Sequence, residues 1–329
     1  MILKLSSAIL FRESLIMVAL GIIIDRKCNI RCSHCCFSSG PKATEHLTDD
    51  QVMSIVEQAC NSSAIDTISL SGGEALLRHQ LVINCLRMAK EHGKPAGLVS
   101  NGFWGQNIKR ANSTLRQLKE SGLRALTLSF DEFHQDNLKV ERIKNILDAN
   151  TNVGIPISMN VAVSRSHNPD RLLSQLGDSL IGVKVTRFPI QRVGAALQFP
   201  EQDIIRRYSI NDDLRCPGFE PTYHFDGKVY PCCSPVVFGS TLVLGDADDT
   251  SVQKALTLIQ RNLMFSVMRH KGFKWLFELC VKNNLLDESF LRREYVDACE
   301  MCGIIFSNPE IVNGLVPLIE QEYSSEDQR

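Results

Sequence analysis

Six short apolar runs, separated by stretches of helical periodicity, leave this chain few ways to fold. The runs fall at 16–24, 66–71, 96–100, 124–130, 155–163 and 182–188, and helical patterns fall at 48–60, 79–92, 108–121, 138–149 and 169–178. Strands that alternate with helices of about ten to fifteen residues build βαβ units, hence a parallel sheet with right-handed crossovers. Thr48 and Gln51 have the spacing of a capping box, which marks the first helix start. About six such units predict an α/β fold, a partial TIM-like (β/α)6 barrel, whose functional groups collect at the C-terminal ends of its strands. At or near those ends stand the loop 25–36, Gly72-Gly73-Glu74, Ser100-Asn101-Gly102, Ser129-Phe130-Asp131 and Asn160. Beyond 188 the rhythm is lost. A boundary is expected near 200, separating 17–200 from 201–329, with residues 1–16 an extension ahead of the core.

Cys28, Cys32 and Cys35 stand in a C-x3-C-x2-C spacing in the loop that leaves the first run. Four thiolates are the usual count for an iron–sulfur electron carrier. Three leave one iron of a cubane cluster without a protein ligand and open to a small molecule. Zinc is the competing reading, with His34 or Cys36 as the fourth ligand. Twelve cysteines in 329 residues fit metal ligation better than a disulfide scaffold, which belongs to short secreted chains. Cluster chemistry requires a reducing compartment, so the cytoplasm is the expected location. The net charge of −1 gives no electrostatic case for nucleic acid or an anionic membrane. The run at 15–24 is too short to span a bilayer, and no signal-peptide pattern precedes it.

The three-cysteine loop after one strand and Gly72-Gly73-Glu74 after the next together resemble the radical SAM superfamily. The resemblance implies that Cys28, Cys32 and Cys35 hold a [4Fe-4S] cluster. It implies that the Gly-Gly-Glu stretch contacts the amino group of S-adenosylmethionine (SAM). His34 occupies the place of the family's aromatic residue near the adenine. Further cofactor contacts are expected from Ser129 and Asp131 to the ribose, and from Asn160 and one of Arg187 or Arg192 to the carboxylate end. The plainer readings are a glycine turn, a helix cap at Asp131 and a buried strand neighbour at Asn160.

A second cysteine set follows the expected boundary: Cys216, Cys232, Cys233, Cys299 and Cys302. Asp226-Gly227, inside 223–230, signals a hairpin that brings Cys216 and Cys232 together. Cys299 and Cys302 have the C-x2-C spacing of two ligands on one site. The set resembles the twitch (shortened SPASM-like) domains of peptide-modifying radical SAM enzymes, which implies a second, auxiliary [4Fe-4S] cluster on Cys216, Cys232, Cys299 and Cys302. Zinc is again the alternative. Cys60, Cys85 and Cys280 lie in helical runs and read as small buried hydrophobes. Residues 252–269 read as one helical stretch.

Neighbouring residues of an extended chain point to opposite sides, so Cys233 turns away from any cluster that Cys232 ligates. Several stretches resemble the YydG-type (epipeptide) radical SAM peptide epimerases: 34–38, 100–105, 176–185, Val193–Ala196, Cys216-Pro217-Gly218, 230–235 and 272–275. The resemblance implies that a ribosomally made precursor peptide is converted from L- to D-residues and that SAM is consumed. It implies an electron donor of the flavodoxin or ferredoxin kind, with Cys233 as hydrogen-atom donor and the auxiliary cluster helping to restore its thiol. The family's acidic residue shortly after Cys-Pro-Gly is aspartate; here it is Glu220. Two other classes stay open: a radical enzyme that forms thioether or carbon–carbon crosslinks, and a non-catalytic iron–sulfur electron carrier or scaffold.

Overall fold

The computed structural model describes residues 18–326, and the expected extension at 1–16 lies outside them. Six parallel strands follow in chain order: β1 Val18–Ile23, β2 Ile65–Ser71, β3 Ala96–Ser100, β4 Leu123–Ser129, β5 Ile157–Val163 and β6 Lys184–Pro189. The helices between them are α1 Asp49–Asn61, α2 His79–Glu91, α3 Ile108–Ser121, the one-turn α4 Glu132–Gln135, α5 Val140–Asn150 and α6 Asp170–Leu176. The sheet order is β6-β5-β4-β3-β2-β1, so each unit adds beside its predecessor, as expected for a partial (β/α)6 barrel.

Local chemistry sets these elements. Thr48 and Gln51 close the capping box of α1. Asn107 caps α3, which ends at Gly122 in the left-handed region. In α3, Ala111, Leu115 and Leu118 recur at helical spacing and are buried against the sheet. Burying each leucine contributes about 2 kcal/mol. β5 buries every second residue, whereas β1 is buried through Leu20, Gly21, Ile22 and Ile23, as a strand covered on both faces requires.

The chain then returns to the other side of β1. β7 Thr222–His224 pairs parallel with β1, and β8 Lys228–Tyr230 and β9 Gly245–Asp246 extend the sheet antiparallel, giving nine strands in one sheet. The β7–β8 turn is the hairpin read from Asp226-Gly227. Helices α7 Val252–Gln260, α8 Leu263–His270, α9 Gly272–Lys282, α10 Ala298–Phe306 and α11 Pro309–Glu326 complete the fold. The single stretch expected at 252–269 is two helices, because the side chain of Asn262 caps the Phe265 amide and starts a new one. Among the described residues no single helix is long and apolar enough to cross a membrane.

Candidate active site

Both cysteine sets face one cavity of about 980 Å³ at the C-terminal ends of the strands. One wall is the loop after β1. Arg26 clamps it by donating to the carbonyls of Phe37 and Ser38, while the Cys28 amide bonds Gly40 O at 3.2 Å. Gly73 fixes its stem. The Gly73 amide donates to Asp25 O at 2.7 Å and the Glu74 amide to Lys27 O at 2.9 Å. A Cβ at position 73 would overlap the backbone of Arg26 and Lys27, far inside the 3.0 Å that real Cβ atoms keep. From above, Gly194 (φ +57°) lies so close to the Cys36 carbonyl that no side chain fits, and the Ala195 amide bonds Cys35 O at 2.9 Å. Thus Gly194 packs on the cysteine loop.

Cys28 and Cys32 are buried and Cys35 half-buried. Burial, and then the nearby Glu74 carboxylate and Cys35, push the Cys28 thiol up to about 12. Cys32 is raised as well, by burial first and then by Cys35. Gly72, Gly73, Ser129 and Asn160 line the cavity, with Ser129 and Asn160 paired in register on β4 and β5. Glu74 stands behind that wall, 1% exposed, its carboxylate accepting from Ser100 Oγ and from the amides of Asn101 and Leu76. Burial raises it to about 7.

His34 lines the cavity and stacks on Phe133 at 4.5 Å. Burial lowers it to about 4, so the ring is neutral near pH 7. Asp131 does not reach the cavity. Its Oδ1 holds the amide and Nδ1 of His134 at 3.1 and 2.7 Å, and its Oδ2 holds the Ala162 amide at 3.1 Å. Burial would raise this carboxyl, but His134 and those bonds hold it below the usual range. Ser129 and His134 face the space instead. Arg187 and Arg192 also miss it. They pair at the exposed surface with Asp170 at 3.0 Å and Glu201 at 2.6 Å. Strand alternation is the cause for Arg187: its neighbour Phe188 lines the cavity, so Arg187 points away.

The opposite wall carries the second set. Cys216 is tied by its amide to Met268 O at 3.0 Å. Cys232 leaves β8 after Pro231, and Cys299 and Cys302 share the first turns of α10. Asp297 caps α10 through the Cys299 and Glu300 amides at 2.8 and 3.0 Å. It also accepts from Gln191, which lines the same cavity, at 2.8 and 2.9 Å. Burial raises all four thiols, and Cys302 is then raised further by Cys232, Cys216 and Cys299, and Cys232 by Cys216 and Cys299. Cys233 stands outside this quartet. Its thiol is raised, after burial, by the nearby Glu220 carboxylate, and both residues line the cavity. Sequence gave no sign of Gln191 or Asp297; an acidic residue two positions before Cys299 is the usual form of a helix cap.

Among the described residues no three cysteine sulfurs lie within 4.8 Å of one another; His34, Asp131 and His134 do. Tetrahedral Zn–S bonds of about 2.3 Å would draw sulfurs to roughly 3.8 Å. In the metal-free structure the sulfurs stand wider than that, and the soft thiol donors of Cys28, Cys32 and Cys35 suit an iron–sulfur cluster. The histidine–aspartate group reads as a hydrogen-bonded carboxylate, since backbone amides and His134 already take its oxygens.

Residues 22–172 match the model of the radical SAM superfamily. The fold is similar to that of native anSMEcpe with bound AdoMet and Cp18Cys peptide (TM-score 0.53, 15% identity, 93% of this chain and 99% of that one). It is also similar to BtrN in complex with AdoMet and 2-DOIA (TM-score 0.51, 16% identity, 85% and 98%). The chain belongs to the radical SAM superfamily, whose members bind a [4Fe-4S] cluster and SAM. Within it, the chain is 34% identical over 308 residues to the putative peptide biosynthesis protein YydG of Bacillus subtilis (strain 168), covering 92% of this chain and 97% of that protein.

Proposed function

We propose that this chain is a radical SAM peptide epimerase, which inverts L-residues of a ribosomally made peptide to D-residues. The observation that carries the reading is Cys233: a thiol outside the quartet, beside Glu220, on the cavity that the first cysteine set also lines. Similarity to a relative named for peptide biosynthesis supports the substrate class. In this reading Cys28, Cys32 and Cys35 hold the SAM-binding [4Fe-4S] cluster, and Cys216, Cys232, Cys299 and Cys302 hold the second. When bound and reduced by one electron from a flavodoxin- or ferredoxin-like protein, the first cluster with SAM supplies a 5′-deoxyadenosyl radical that takes a Cα hydrogen.

The chain's own residues do the rest. Gly72, Gly73, Ser129, His134 and Asn160 form the wall that would hold SAM, and the His34 ring would offer its adenine an aromatic face. Ile22, Ile190 and Phe219 help keep water from the radical. Cys233 gives its sulfur-bound hydrogen to the face of the planar Cα radical opposite the one attacked, so a C–H bond forms and an S–H bond breaks. Restoring the thiol takes one electron and one proton, and Glu220 is the carboxylate beside that sulfur.

The test is turnover of the reconstituted enzyme in D2O with SAM, reductant and a candidate precursor peptide, for wild type and Cys233→Ala. One deuterium in each new D-residue, lost in the variant while SAM cleavage continues, is the expected result. A product lighter by two hydrogens would mean crosslinking, and no SAM cleavage at all would mean an electron carrier; either defeats the proposal.

A further inference from the structure

Beside the first cysteine set runs a chain of hydrogen bonds that the proposed reaction does not use. Trp104 Nε1 donates to Ser100 Oγ at 3.1 Å, and Ser100 Oγ donates to Glu74 at 3.0 Å. Glu74 Oε2 accepts the Asn101 amide at 2.7 Å. The backbone of Asn101 is thereby pinned at the end of β3, and the residue is 6% exposed. Its side-chain oxygen accepts the Phe103 amide at 3.0 Å. That bond decides which way the amide faces, because an N–H donor can meet only the oxygen. Nδ2 therefore points to the cysteine loop, 3.0 Å from Asn29 Oδ1 and 3.6 Å from Cys28 Sγ. Its two hydrogens have two acceptors, one of them the sulfur.

We infer that Asn101 tunes the first cluster, donating a hydrogen bond to the Cys28 sulfur that stabilises the reduced state and raises the one-electron reduction potential. The inference rests on the assignment of Cys28 as a cluster ligand. Reduction adds negative charge to the cluster and its sulfurs, so a fixed donor favours the reduced form more than the oxidised one. Hydrogen bonds to ligand sulfurs are among the levers by which a protein sets such potentials. The bond acts in a buried site, where it is little screened. Three other bonds hold Asn101, so the donor is in place before reduction and need not reorganise. Asn101 is a positioning residue: it touches a ligand of the cluster, not the reacting carbon.

The test is a reductive titration of the holoenzyme, both clusters loaded, followed by electron paramagnetic resonance. The first cluster is recognised by the change in its signal when SAM is added. Asn101→Asp keeps the shape and the Phe103 contact but removes the donor; Asn101→Ala removes the side chain; Trp104→Phe breaks the far end of the chain as a control. At fixed poise the reduced-to-oxidised ratio of the first cluster should fall about tenfold in both Asn101 variants, which is about 59 mV for one electron. The second cluster's midpoint should stay put, as should both midpoints in Trp104→Phe. An unmoved first-cluster midpoint, or an equal shift of both clusters, overturns the inference. So does failure of both variants to load the first set, which would make Asn101 a structural residue of the loop. If the wild type has no cluster that responds to SAM, the assignment of Cys28 fails instead.

Discussion

Replacing Gly73 with alanine tests how the cysteine loop is held. The new Cβ would overlap the Lys27 and Arg26 carbonyl oxygens, and these are backbone atoms with no flexible end to swing aside. The loop stem must move, and the bonds from Gly73 N to Asp25 O and from Glu74 N to Lys27 O lengthen or break. Two backbone hydrogen bonds contribute about 1 kcal/mol each. Overpacking a filled site costs about 1–3 kcal/mol more. The expected loss is thus about 3–5 kcal/mol. At about 2.1 cal/mol/K of unfolding entropy per residue, over 329 residues, that lowers Tm by about 4–7 °C. Thermal melts of the metal-free protein read the loss directly, and iron counted after reconstitution reads whether the first set still gathers. Gly72→Ala is the graded comparison, because its Cβ would meet Asp25 O at 3.0 Å and asks for a smaller shift. Gly227→Ala is the control: φ is +80° but nothing lies within 4 Å, so only conformational strain remains, about 1 kcal/mol. A Gly73→Ala variant that melts with Gly227→Ala and holds the same iron would refute the argument.

Two further outcomes follow from the geometry. Burial holds Asp25 at about 6 and Glu74 at about 7, above their ordinary values. The folded state then keeps these protons longer than the unfolded chain does. Their contribution is most favourable below about pH 4 and declines as the pH rises to about 7, by about 3 kcal/mol for Glu74. In melts of the metal-free protein Glu74→Gln and Asp25→Asn should gain Tm relative to wild type as the pH rises across that window; a difference from wild type that does not change with pH would contradict this. Asp297→Ala removes the cap of α10 and the tie to Gln191, at a cost of about 1–2 kcal/mol. The matching loss should be small in Asp297→Asn, and an alanine variant as stable as wild type would show the cap to be idle.

The six βα units were legible because their signals are local. Apolar runs, the Thr48–Gln51 box and the Asp226-Gly227 turn each lie within a few residues of the structure they specify. What stayed hidden depends on partners far along the chain. That β7 adds to β1, so that the second cysteine set continues the same sheet, is a pairing across about 200 residues of sequence that no local pattern encodes. The failures at the site share one cause. Arg187, Arg192 and Asp131 are the right chemical types near the right strand ends, but side-chain direction decides their use. Asp170 and Glu201 take the arginines at the surface, and His134 takes Asp131 from the turn that Asp131 itself caps.

The surroundings of Cys233 also bear on the kind of chemistry a thiol here can do. A nucleophilic cysteine needs a lowered pKa, from a cation or a helix N-terminus, because the thiolate is the reactive form. Cys233 has the reverse. Burial, and then the Glu220 carboxylate, push it well above the ordinary thiol range. Although the residue is exposed, the area it exposes faces the cavity it shares with Glu220. A group held this way is a poor nucleophile at neutral pH, but it keeps its hydrogen, and a hydrogen is what a carbon radical needs. The adjacent Cys232 shows why the pair must be read together. It sits among Cys216, Cys299 and Cys302, where a bound metal would take its proton. In the metal-free chain both neighbouring thiols are raised and keep their protons, and a metal on the quartet would take the proton of Cys232 alone.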